Sequence, residues 1–268
     1  MLRIALFLLL SLPPLTVFPI EQDTLVTDTR TSGAPRYALP GLLIAYGFAA
    51  IEYDALESPD KQLQHEIAEN YPNFSTTAED KLQYLPIVAV YSLDLLGVKS
   101  KSDFLDRTGI LLISNTLTSI SVDFLKDKTH RLRPSGSDHR SFPSGHSANA
   151  FAAAEFMRRE YQDTSPWYAY AGYTVAVTTG ALRLMNNDHW FSDVVAGAGV
   201  SILSVNLAYI SYPWLKKRIF RDQEPAFLLL PAFRDQRPGY VLYVPLGNKR
   251  SGSPVKIPPA PSSTGARQ

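Results

Sequence analysis

The sequence predicts an all-α fold: a helical bundle with a small C-terminal β-hairpin appendix. Two observations carry this. Six apolar stretches, near 37–51, 84–98, 108–125, 147–160, 167–184 and 190–215, are dominated by Gly, Ala, Leu and Ser. None shows the alternation of a half-buried strand, so all six read as helices. After Pro225 the texture changes: "AFLLLPAF" and "YVLYVPL" flank "RDQRPG", the pattern of a short hairpin with a Pro-Gly turn. A chain of 268 residues is long enough for one large domain or two small ones.

In chain order, Met1-Leu2-Arg3 and "IALFLLLSLPPLTVF" place a basic tip ahead of an apolar run broken by prolines. Residues 1–20 read as an export signal, with an uncleaved anchor as the alternative because no small-x-small cleavage pattern precedes "PIEQDT". Either delivers the chain to the cell envelope. Residues 21–36, "EQDTLVTDTRTSGAPR", form a polar linker, and 37–220 the helical domain. Within that domain "SPDKQLQHEIAENYPNFSTTAEDKLQ" is polar enough for a surface helix and loop. Residues 221–247 form the hairpin appendix, and the Pro/Ser-rich 248–268 a disordered tail.

A membrane span needs about 20 apolar residues. Segments 194–215 and 164–182 are uncharged and qualify by length. Asp94, Asp123 and the group Glu155, Arg158, Arg159 interrupt the others, so the bundle is either soluble or partly in the membrane. Lys216-Lys217-Arg218 fit a cytoplasmic end or the C-terminus of a helix equally. A net charge of +1 gives no electrostatic reason for a nucleic-acid partner, and the absence of cysteine excludes disulfides, thiolate metal sites and cysteine nucleophiles.

The chemistry sits in three segments. In "KDKTHRLRP" (126–134), Lys126 and Arg133 are seven apart, two helical turns, and share a face if the helix runs that far. Pro134 makes Arg133 the last residue before a loop. In "PSGH" (143–146) a helix start offers backbone N–H groups and a positive dipole end to an anion. Gly145 admits a close ligand, and His146 stands beside it with a proton to give. In "LRLMNNDHWFSD" (182–193) the Asn-Asn-Asp run is a cap signal that makes His189 open the next helix. Asp193, four residues on, can fix the tautomer of His189 and leave its other nitrogen free to attack. Arg183 ends the preceding helix.

Together these segments resemble the type 2 phosphatidic acid phosphatase family, which shares its fold with vanadium haloperoxidases and bacterial class A acid phosphatases. The family pattern is Lys, six residues, Arg-Pro; then Pro-Ser-Gly-His; then Ser-Arg, five residues, His, three residues, Asp. Every charged position is matched here, over about residues 84–215. Leu182 stands where the family has Ser, and the stretch between Pro134 and Pro143 is short for the family. Both departures bear on substrate choice. The resemblance implies that His189 attacks phosphorus to give a phosphohistidine, with Asp193 orienting it. His146 would protonate the leaving oxygen and then activate water. Lys126, Arg133 and Arg183 would neutralise the phosphate oxygens, with Ser144 and the Gly145 N–H adding hydrogen bonds. Positioning and charge stabilisation dominate phosphoryl transfer, so three cations can do what Mg²⁺ does elsewhere. No metal or cofactor is expected.

The expected function is a metal-independent phosphatase of the envelope acting on lipid-linked phosphate monoesters or pyrophosphates, with a membrane surface as partner. A soluble periplasmic acid phosphatase and a vanadate-dependent haloperoxidase are the alternatives. His65 and His130 read as solvated, His139 as a loop residue able to contact substrate, and Trp190 and Phe191 as packing.

Overall fold

The computed structural model describes residues 34–219, 228–234 and 237–243, with side chains described from Tyr37 to Arg218. The segments expected to be an export signal and a disordered tail, and all but the last three residues of the expected linker, lie outside the described residues. By its internal contacts the chain divides at Pro35, and the helical bundle belongs to the unit that begins at Arg36.

Among the described residues eight helices run in chain order: α1 (Ala34–Glu52), α2 (Asp54–Asn70), α3 (Ala78–Leu82), α4 (Leu85–Leu95), α5 (Phe104–Thr129), α6 (Gly145–Tyr161), α7 (Trp167–Met185) and α8 (Phe191–Ile219). The six apolar stretches all fall on helices, and α1 starts three residues before the expected domain boundary. Strands β1 (Leu228–Arg234) and β2 (Arg237–Tyr243) pair antiparallel, Leu228 opposite Tyr243 and Arg234 opposite Arg237. Pro238 and Gly239 lie inside β2, opposite Phe233 and Ala232, so they are not the turn between the strands.

Helix α6 is the centre of the bundle and packs on α4, α5, α7 and α8. Its alanines explain this: Ala148, Ala150, Ala152, Ala153 and Ala154 are all at most 3% exposed, and small side chains let neighbouring helices come close. Ser144 caps α6, its Oγ accepting from the Ser147 N–H. On α8, a Cβ added at Gly197 would stand 2.7 Å from the Ser144 carbonyl, so α8 rests directly on the backbone that opens α6. Away from that end Val90, Ile110, Phe156, Met157, Tyr161 and Ala208 form the largest apolar cluster. Burying a Phe of this kind stabilises by about 1.5–3 kcal/mol.

The structure corrects two expectations from the sequence. Apart from the exposed Asp123, the charges expected to break apolar segments are held in ion pairs and hydrogen bonds with the bundle. Glu155 accepts from Arg158, Arg159 and Tyr173, and the fully buried Arg107 donates to Asp94 and Ser100. The polar stretch 58–83 is not merely a surface helix and loop. It forms α2 and α3, and Asp60, Glu79 and Gln83 on it are buried.

Among the described residues, two helices are long and apolar enough to cross a membrane, Phe104–Thr129 and Phe191–Arg218, and a third candidate is the pair α1–α2, bent by 90°. The second holds the expected segment 194–215. The other expected span, 164–182, does not qualify, because the tyrosines and threonines of α7 lower its hydropathy. Instead α5 does, despite Asp123, and it turns Leu105, Leu112, Ile120 and Phe124 outward.

Candidate active site

Helix α5 stops at Thr129, where His130 takes the left-handed conformation with φ 46°. Arg133 therefore lies in the following loop and not on the helical face of Lys126, which corrects the expected two-turn spacing. Both still reach the same neighbourhood. Lys126 Nζ donates to the Arg140 carbonyl at 2.8 Å, and Arg133 pairs with Asp138 at 2.9 Å and with Asp188 at 3.7 Å. The Arg133 hydrogen bond, with a second from the Arg140 N–H, holds the Asp138 carboxyl below its usual range.

His189 also precedes its helix, because α8 begins at Phe191. It is 2% exposed, and its Nδ1 stands 3.6 Å from Asp193 Oδ2. That separation is too long for a hydrogen bond, and Nδ1 has no partner. Closing it takes under about 1 Å, as unliganded sites commonly tighten on binding. Burial is the main cause that lowers the His189 pKa from 6.5 to about 4; Asp193 opposes it, and the charges of Arg183 and Lys126 add to it. At neutral pH the ring is uncharged and keeps a lone pair. A cavity of about 10 Å³ borders it, lined also by α2 residues Leu63, Gln64 and Ile67, with room for about one water.

Asp193 is fully buried and fixed on three sides. Its Oδ2 accepts from Ser141 Oγ at 2.5 Å and from the Trp190 N–H at 2.9 Å, and its Oδ1 from Arg131 at 2.7 Å. Its carbonyl accepts from the Ser144 N–H at 3.0 Å, tying the start of α6 to the start of α8. Arg131 also donates to Asp60 Oδ2 at 2.7 Å, and its guanidinium lies 5.5 Å from the Trp190 ring centre.

Arg183 on α7 pairs with Glu79 at 3.1 Å and Asp188 at 2.9 Å. His146, in the first turn of α6, meets Asp80 at 2.8 Å. Burial is the main cause that lowers its pKa, helped by the charge of Arg183 and opposed by Asp80 and Glu79. Ser144 Oγ is engaged with Ser147 Oγ at 2.9 Å. A Cβ at Gly145 would meet only Val122, at 3.9 Å, so no protein atom requires glycine there. A ligand lying on the loop would.

The eight residues singled out in the sequence thus gather around the ends of α5, α6, α7 and α8. Sequence reasoning missed Asp60, Glu79, Asp80, Arg131, Ser141, Asn186 and Asp188. Only Asp188 and Arg131 carried a signal, as charges inside two of the motifs. His65 is exposed and pairs with Glu69, and His130 and His139 are exposed. Among the described residues, six buried side-chain atoms lack a hydrogen-bond partner, and four of them belong to Glu79, Arg183, Asn187 and His189. Of these, His189 Nδ1 faces Asp193 at 3.6 Å, and the atoms of Glu79, Arg183 and Asn187 are left for water or a ligand.

Residues 107–217 match the PAP2 superfamily. The chain is 42% identical over 154 residues to the lipid A 1-phosphatase of Porphyromonas gingivalis, across 56% of this chain and 33% of that protein. It therefore spans about a third of the length of this curated relative. Among solved structures it is similar to Aquifex aeolicus LpxE, with a TM-score of 0.43 and 20% identity over 56% of this chain and 94% of that one. It is also similar to a transmembrane PAP2 type phosphatidylglycerolphosphate phosphatase from Bacillus subtilis, with a TM-score of 0.47 and 20% identity over 69% of this chain and 99% of that one. All three motif segments fall within the matched residues, whereas Asp60, Glu79 and Asp80 lie outside them. The likeness to the PAP2 superfamily thus takes in nearly all of α5 to α8, with the three motif segments, and leaves α1 to α4 outside it.

Proposed function

We propose that this protein is a membrane-associated phosphatase of lipid-linked phosphate esters, working through a phosphohistidine on His189. The observation that carries the reading is the buried, neutral His189 imidazole, with Asp193 at one nitrogen and the charges of Lys126 and Arg183 acting on it. His189 attacks phosphorus, and Asp193 steadies the imidazole as it becomes positive. Lys126, Arg133 and Arg183 exchange their present carbonyl and carboxylate partners for the phosphate oxygens, assisted by Ser144 and the Gly145 N–H. His146 gives its proton to the leaving oxygen and takes one back from water. Residues 37–220 are the catalytic unit of this reading; the export signal, hairpin appendix and tail lie outside its chemistry.

A lipid substrate is favoured by the outward apolar side chains of α5 and by Leu207, Ile210 and Trp214 on α8, which suit a bilayer. The relative that hydrolyses the 1-phosphate of lipid A points to the same class. Each buried methylene contributes about 0.8 kcal/mol, so a few of them outweigh differences between headgroups. The test is phosphate release from esters of increasing chain length, in detergent micelles and in plain buffer. The expected result is a kcat/KM that rises with chain length and exceeds that for sugar phosphates. A flat series favours the soluble acid phosphatase, and bromination with vanadate and peroxide the haloperoxidase.

Convergent cations also predict the inhibitors. Vanadate, able to mimic the pentacoordinate transition state, is expected to inhibit competitively, and EDTA to leave the rate unchanged. Arg183→Lys is expected to lower kcat/KM about 10-fold or more, because the planar fork is lost while the charge is kept. Activity lost in EDTA and restored by Mg²⁺ would contradict the site.

A further inference from the structure

Asp80 lies outside the segment matched by the family, yet α3 places its Oδ1 2.8 Å from His146 Nε2. A carboxylate only accepts, so Nε2 carries the proton in this contact. We propose that Asp80 is a positioning residue for His146, forming with it a second Asp–His pair alongside Asp193 and His189. Through this pair α3 governs the proton-transfer half of the reaction. The inference rests on the phosphatase reading proposed for the site.

Helix α3 is clamped where it must be to do this. The Asn186 side chain accepts from the Thr76 N–H at 3.1 Å, and donates to the Thr76 carbonyl at 2.9 Å and to Glu79 at 2.6 Å. Arg183 holds Glu79 from α7, and Asn149 on α6 donates to Gln83 at 2.9 Å. Asp80 is thus delivered across 66 residues of sequence by a segment fixed on both flanks. The main chain of His146 is fixed by the capped start of α6, so ring rotation is the freedom that Asp80 removes.

The charged groups facing His146 are Asp80 and Glu79 from α3 and Arg183 from α7. Burial and Arg183 disfavour the imidazolium, and the two carboxylates favour it. With Nε2 held by Asp80, Nδ1 is left for the substrate. As the bond from His189 to phosphorus forms and the ester P–O bond breaks, the Nδ1 proton passes to the leaving oxygen. The ring becomes neutral and still donates Nε2–H to Asp80. When the water oxygen bonds to phosphorus and the N–P bond breaks, Nδ1 takes the water proton and the imidazolium is restored.

The test compares full-length wild type, Asp80→Asn, Asp80→Glu and His146→Ala on two lipid phosphates, one with an alkyl and one with an aryl leaving group. The Asp80 side chain is 55% exposed, so its replacement does not disturb a packed core. Asp80→Asn is expected to cost the alkyl ester about 10-fold more than the aryl ester, because only the poor leaving group needs the proton. The basic limb of its pH–rate profile should move down by about one pH unit, with Asp80→Glu recovering part of both effects. Equal losses on the two esters, or an unmoved basic limb, overturn the pairing. If His146→Ala itself shows no dependence on leaving group, the proton role of His146 fails and the inference falls with it. If His146→Ala shows that dependence and Asp80→Asn does not, the phosphatase reading stands and this inference alone is wrong.

Discussion

His189→Ala is expected to lower kcat by about 10⁴-fold or more, because it removes the attacking atom itself and no neighbouring group replaces it. His146 Nε2 is taken up by Asp80 and Arg183 pairs with Glu79, and neither is set as His189 is, buried with Asp193 at one nitrogen. The fold should survive, because the imidazole Nδ1 makes no hydrogen bond and the ring already borders a small cavity. The stability cost should stay within about 1–3 kcal/mol. Rapid quenching at alkaline pH should trap phosphate on a histidine of the wild type and none on the variant, with circular dichroism confirming the fold. Near-normal turnover of a lipid phosphate by His189→Ala would end the phosphohistidine reading.

Arg131→Met is expected to be the most damaging single change to stability. Its guanidinium lies between Asp60 and Asp193, at 2.7 Å from each, and these side chains are 1% and 0% exposed. Removing one partner of a buried ionic group leaves uncompensated charge, which costs about 3–5 kcal/mol. For a chain of this size that lowers Tm by roughly 6–20 °C. Activity should fall as well, since Asp193 loses the contact that directs its other oxygen toward His189. Adding Asp60→Asn should recover part of the lost Tm, because it removes one of the two stranded charges. Strictly additive losses in the double variant would show that Asp60 and Arg131 do not act as a pair.

The helices were readable because their apolar runs lack alternation, and the motifs because each lies within a dozen residues of chain. The end of α5 was not readable. His130 at φ 46° terminates it, a conformation that Gly or Asn usually marks and that histidine seldom announces. The start of α8 was misplaced for a related reason. Asn187 is left-handed at φ 57°, and the chain turns through His189 and Trp190 before the helix begins. Asp60, Glu79 and Asp80 were hidden more deeply. Their partners Arg131, Arg183 and His146 lie 71, 104 and 66 residues away, and a carboxylate on a polar helix looks the same whether it faces water or a buried guanidinium. The charges of α6 misled for the same reason, since Glu155 is neutralised by Arg158 and Arg159 on its own helix and accepts a hydrogen bond from Tyr173 of α7.

At Gly197, α8 touches the Ser144 backbone so closely that any side chain would push the two apart. The Ser144 N–H and the Asp193 carbonyl close the same seam from the other direction. This half of the site therefore has little room to adapt: a substitution that reshaped it for another substrate would also move the loop to which the proposed function gives the phosphate. The opposite rim is different, because the loop from Ser135 to Arg140 is exposed along its length. Divergence toward new headgroups, whether by natural drift or by directed selection, is cheapest at exposed positions of the 135–140 loop such as Ser137 and His139, where sequence can vary while the seam and the clamped α3 stay fixed.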